Sequence, residues 1–179
     1  VTGVQTCALP IFLSLLQSTF GKVFLKKGNH DMRLEMHIQK LAATMPELQD
    51  YMTYEDWLFY KGTNTVIIED YRHVKYGKLN IIHGHEYQGG GGIHVAYNRL
   101  NKTFDNVLSA HSHKSQGVIR QTINGEVFGS WTIGCLCNLK PRYNPKNDWT
   151  NGFAIIRKDS TGDFEVENKV IFGDKLFSA

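Results

Sequence analysis

The chain has 179 residues, enough for one domain with a sizeable core and too few for two comfortable ones. Hydrophobic residues make up 41% and charged residues 21%, which excludes disorder as a general description. The net charge of +3 comes without a block of Lys or Arg, so it suits a phosphorylated substrate without demanding nucleic acid.

The opening Val1–Ile11 resembles translated read-through at the damaged end of a reading frame. It is read as a non-native leader, with a single domain over 12–179. Phe12–Phe20 is a short helix, and Val23, Phe24 and Leu25 between two lysines form a buried strand. Leu34, Ile38, Leu41, Met45 and Leu48 step by fours and threes along one helix face. Pro46 breaks that face, and Thr44-Met45-Pro46-Glu47 fits a capping box starting a second helix. A shorter helix includes Trp57–Tyr60 and ends at Gly62.

Thr65–Glu69 and Leu79–Ile82 are strands, Gly89–Gly92 is a loop, and Ile93–Lys102 is helical. Asn106–Ser109 is a short strand. From Gly117 the texture turns to β: Val118–Thr122 and Glu126–Ile133 flank an Asn124-Gly125 hairpin turn. Gly152–Arg157 and Phe164–Ile171 add two strands. The recurring unit is a strand, then a His-bearing polar loop, then a helix. That is an α/β layout with ligands at strand ends, and the β-rich tail adds a second packed sheet.

Cys7, Cys135 and Cys137 make an odd count without spaced pairs, which argues against a disulfide framework and for a reducing cytoplasm. Cys135 and Cys137, two apart on one strand, are read as small core residues rather than a metal pair. No stretch is long enough to span a membrane, and Ala8–Leu16 lacks the basic flank of a signal peptide.

Three motifs follow apparent strands: Gly28-Asn29-His30-Asp31, His83 within Ile81-Ile82-His83-Gly84-His85, and Ala110-His111-Ser112-His113. His111 and His113, two apart on an extended segment, would share one face and reach one site. Imidazole suits zinc, iron, manganese and nickel.

In this order the motifs resemble those of the calcineurin-like metallophosphoesterases. That family runs D-x-H, G-D-x-x-D, G-N-H-[DE], a lone His near Gly, and G-H-x-H. The resemblance spans Val23 to about His113. It implies a layered α/β fold of two packed sheets flanked by helices, with the first strands missing here. It also implies hydrolysis of a phosphomonoester or phosphodiester by two divalent metals (Mn, Fe, Zn or Ni) and a bridging hydroxide. The substrate would be a phosphorylated small molecule or a nucleic acid. Asn29, His83 and His111 would bind one metal and His113 the other. His30 would lie beside the scissile phosphate, with Asp31 holding its ring.

Two departures stand out. D-x-H and G-D-x-x-D do not occur in residues 1–27, so the chain is expected to be an N-terminally truncated member with weak hydrolysis of its own. Ala110 replaces the usual Gly of the last motif. Arg33 could reach a phosphate, although a solvated helix residue is the plainer reading. His85 and Glu86 either line the site or belong to a plain loop. Gly89–Gly92 lacks the Gly-Lys-Ser/Thr of a P-loop. His37, His73 and His94 are read as structural or surface residues, and Trp131 and Trp149 as packing.

Two other readings stand beside the enzyme. One is a degenerate family member used as a binding or scaffold module, as in a retromer subunit that has lost catalytic residues. The other is a mononuclear structural zinc protein, against which the cysteines are placed away from the His set.

Overall fold

The computed structural model describes residues 12–48, 64–69, 71–87 and 92–179. They form a mixed α/β chain that divides after Asp70 into two units. The shorter helix expected to include Trp57–Tyr60, most of the Gly89–Gly92 loop and the leader lie outside the described residues.

In the first unit, α1 (residues 12–19) precedes β1 (Val23–Lys26), α2 (Asn29–Thr44) and β2 (Thr65–Ile68). Strands β1 and β2 pair in parallel, with Val23 opposite Thr65. Leu13, Val23 and Ala42 are buried. Phe24, expected inside, is 51% exposed, since it points to the opposite face of the strand from buried Val23. Helix α2 stops where expected, but Thr44 turns its hydroxyl back to the Leu41 carbonyl (2.8 Å). Among the described residues, the segment from Pro46 is a 3-10 turn, Pro46–Leu48. Lys27 is buried at the end of β1, with its Nζ 2.6 Å from Glu35 and 3.2 Å from Glu69. That pairing is what allows a lysine there.

The second unit carries a five-stranded and a three-stranded sheet. The larger runs in the order β3 (Val74–Tyr76), β4 (Leu79–Ile82), β5 (Val107–Ser109), β7 (Val127–Thr132), β6 (Gln116–Gln121). Strands β4, β5 and β7 are mutually parallel, and β3 and β6 are antiparallel edges. Helix α3 (Val95–Thr103) covers β5, β6 and β7 with Val95, Ala96 and Leu100 buried. The β6–β7 hairpin turns at Asn124-Gly125 as expected, with Gly125 at φ +85°.

The smaller sheet is an antiparallel meander of β8 (Asn151–Lys158), β9 (Phe164–Phe172) and β10 (Lys175–Ser178). Buried Asn168 of β9 ties it to the larger sheet, donating to Thr132 O (2.9 Å) and Gln116 O (3.2 Å). Among the described residues no helix is long and apolar enough to cross a membrane.

Candidate functional site

The Gly28-Asn29-His30-Asp31 motif is the start of α2. Gly28 is the N-cap, in an extended conformation, and Asn29 opens the helix. The Asp31 carboxylate reaches back to accept from the Gly28 N–H at 2.7 Å, satisfying one of the donors a helix start leaves open. Asp31 therefore has a structural task besides the one the resemblance implies for it. His30 is exposed on this first turn, and Asn29 and Asp31 are half-buried.

The other three candidates belong to the second unit, on loops leaving parallel strands. After β4, the backbone N–H groups of His83 and Gly84 both donate to the Glu86 carboxylate (3.2 and 2.5 Å). Gly84 sits at φ +119°, and a Cβ there would lie 3.1 Å from the His111 Cβ and 3.2 Å from the Ala110 carbonyl oxygen. Glycine is what lets the two loops touch. The contact is closed by Ala110 N–H donating to His83 O (2.9 Å).

The outcome is that His83 Nε2 and His111 Nδ1 stand 3.2 Å apart. His85 completes a histidine cluster, with ring centroids 5.1 Å from His83 and 6.1 Å from His111. His85 is 5% exposed and carries Tyr71 edge-on at 5.4 Å. Beneath the loop, buried Arg99 donates to Tyr87 O (2.7 Å). Burial pulls the Arg99 pKa below its ordinary value, and the neighbouring Glu86 charge partly offsets this.

His111 and His113 do not lie on an extended segment. Both have left-handed backbones (φ 61° and 58°), and the Ser112 N–H folds back onto Ala110 O. His is among the residues that tolerate this region, at some cost in strain. The alternation expected of a strand therefore fails here. The His111 ring turns to His83, while the His113 ring meets Trp149 edge-on at 4.2 Å.

His113 also has thiol neighbours. One ligand atom each from His113, Cys135 and Cys137 lies within 4.8 Å of the others. The expectation that the cysteines sit away from the histidines is thus corrected. Nor do they share a strand: they follow β7 in a loop, with Cys135 bridging to Asn151. Burial, then the hydrogen bond with Cys135, push the Cys137 thiol up to about 11.

His83 and His111 fit a shared metal. With metal–nitrogen bonds of about 2.1 Å, nitrogens 3.2 Å apart subtend roughly 100°, between octahedral and tetrahedral angles. Without an ion, the same distance is a hydrogen bond between one protonated and one free ring nitrogen.

The chain is 28% identical over 163 residues to Gene 54 protein of Mycobacterium phage D29. The match covers 83% of this chain and 62% of the phage protein, so the chain spans less than two thirds of that relative's length. No family model and no solved structure matches the chain.

Proposed function

We propose that this chain is part of a metal-dependent phosphate-ester hydrolase related to the calcineurin-like metallophosphoesterases. The observation that carries the reading is the approach of His83 Nε2 to His111 Nδ1. They come from loops at the C-terminal ends of adjacent parallel strands, where open α/β sheets place their ligands. The resemblance adds Asn29 to that metal and His113 to a second. Two divalent cations would neutralise phosphate charge and supply Lewis acidity.

The protein's own part is positional. Glu86 and Gly84 hold the His83 loop, and the left-handed turn at His111 aims its ring at His83. His30 would protonate the leaving oxygen. Its place on the first turn of α2 puts it where a helix start favours an anion. The substrate class is a phosphomonoester or phosphodiester, either a small molecule or a nucleic acid.

The test is hydrolysis of nitrophenyl phosphate mono- and diesters with added manganese. It is run on this chain and on the chain extended upstream by a segment carrying D-x-H and G-D-x-x-D. The extended protein should turn over. His83→Ala and His111→Ala should each abolish that turnover, and His30→Ala should slow it by about 100-fold or more. Metal-dependent turnover untouched by all three substitutions would overturn the assignment. A binding-module reading is favoured by one observation: Asp31 caps α2, a task a scaffold also needs.

A further inference from the structure

We propose that His113, Cys135 and Cys137 form a zinc site of the Cys2His type, with a fourth position open to water or a phosphate oxygen. The site goes beyond the phosphate-ester reading and stands without it. It uses only residues of the second unit and none of the acidic ligands supplied by the motifs not found in residues 1–27.

The topology builds it. Strands β5 and β7 are parallel neighbours with Ser109 opposite Thr132, so the loops that follow them emerge side by side. The Ile133 N–H continues the ladder by donating to Ser109 O (2.9 Å). One loop then carries His113 and the other Cys135 and Cys137. Gly134 allows the close approach of the second loop to β8: a Cβ there would stand 2.5 Å from Thr150 O and 2.7 Å from Gly152 N.

A common staple fixes the two loops. The Thr150 N–H donates to His113 O (2.8 Å), and Thr150 O accepts from the Cys135 N–H (2.9 Å). Asn151 Nδ2 donates to both Cys135 O (3.0 Å) and Cys137 O (2.9 Å). The Trp149 ring stands edge-on to the His113 ring. The segment 149–151 thus holds all three residues through backbone and ring contacts, and the Cys135 Sγ makes only long sulfur contacts to Thr150 O (3.6 Å) and Asn151 Nδ2 (3.8 Å) that a metal would replace.

The distances and the chemistry agree. In a tetrahedral zinc site, with metal–sulfur about 2.3 Å and metal–nitrogen about 2.1 Å, donor atoms stand roughly 3.5–3.8 Å apart. The present atoms lie within 4.8 Å of one another, so side-chain rotation of about an ångström closes the site. Two thiolates with one imidazole select zinc over manganese or magnesium, which prefer oxygen donors. Three protein ligands leave a fourth position, as in zinc sites that act on a ligand.

Cobalt substitution tests this. The reduced, metal-free chain titrated with cobalt should develop a thiolate-to-cobalt charge-transfer absorption, saturating at one equivalent and displaced by one equivalent of zinc. Cys135→Ser, Cys137→Ser and His113→Ala should each weaken zinc binding by about 100-fold or more. Cys7→Ser, His83→Ala and His111→Ala should leave the charge-transfer band in place. Far-ultraviolet circular dichroism checks each variant's fold. If Cys135→Ser does not fold, Cys137→Ser decides, since it is the Cys135 Sγ that also contacts Thr150 O and Asn151 Nδ2. No thiolate band, a band that survives both serine substitutions, or a Cys135–Cys137 disulfide that forms in preference to metal binding overturns the site. Loss of ester hydrolysis with the band intact counts only against the phosphate-ester reading.

Discussion

Glu86 is the most informative residue to remove. Its side chain is 7% exposed, and it accepts from the His83 and Gly84 N–H groups at 3.2 and 2.5 Å. It also offsets part of the burial penalty on Arg99, which is 4% exposed. Hydrogen bonds to a charged acceptor contribute about 1.5–3 kcal/mol each, and the longer of these belongs at the low end. Glu86→Ala should therefore cost about 4 kcal/mol, read as a drop in Tm of roughly 8–16 °C for a chain of this size. Glu86→Gln keeps one acceptor oxygen and should recover about half. The second readout is metal affinity: releasing the loop should weaken binding at His83 and His111 by about 10–100-fold. Calorimetric titration and thermal melts followed by circular dichroism measure both. A Glu86→Ala variant within about 1 kcal/mol of the parent, with metal affinity unchanged, would refute the claim that this carboxylate holds the His83 loop.

Three further tests probe other features. Gly84→Ala forces a side chain onto a φ of +119° and against His111; it should cost about 1–3 kcal/mol in urea melts and separate the His83 and His111 rings, lowering metal affinity. Asn168→Ala removes its two hydrogen bonds to the larger sheet and should cost about 2 kcal/mol, while Asn168→Asp, facing two carbonyls with a charge, should cost more; equal losses would refute the donor role. The exposed Lys78–Asp163 pair, at 2.7 Å, should show a pH-dependent coupling. The hydrogen bond from Lys78 holds the Asp163 carboxyl below its ordinary value, and the same bond raises Lys78. The carboxylate's contribution is present above about pH 4 and lost as pH falls through its lower folded value. The lysine's contribution is complete below about pH 10 and lost as pH rises through its raised value. A double-mutant cycle with Lys78→Met and Asp163→Asn should therefore show coupling at neutral pH that fades at the acid end; coupling that persists at pH 2 would contradict it.

Much of the fold could be read from local pattern. Alternation, the Asn124-Gly125 turn and the break at Pro46 mark β6, β7, β8, β9 and the end of α2, because each feature is decided within a few residues. The misses are elements whose reason is not local. Val74–Tyr76 is only three residues long and carries Lys75, and it is a strand because the Gly77 turn folds it onto β4. Lys175–Ser178 is exposed throughout and exists through its pairing with β9. The burial of His85 follows from its neighbours Tyr71, His83 and His111, which the spacing of the motif does not reveal.

The site divides in the same way. His83 and His111 were legible as strand-end histidines, but their convergence depends on β4 and β5 being parallel neighbours and on Gly84 admitting the second loop. An H-x-H pattern on a strand would send both rings one way; the left-handed turns at His111 and His113 send them to different companions. One ring then meets histidine and the other meets thiols 22 and 24 residues further on, across a β5–β7 pairing that skips β6 in sequence. No periodicity encodes that step, since it arises from strand order. Two chemically different donor sets, one nitrogen-rich and one sulfur-rich, are thus built from a single three-residue stretch. Exchanging His111 should disturb the first set and leave the second intact, and exchanging His113 should do the reverse.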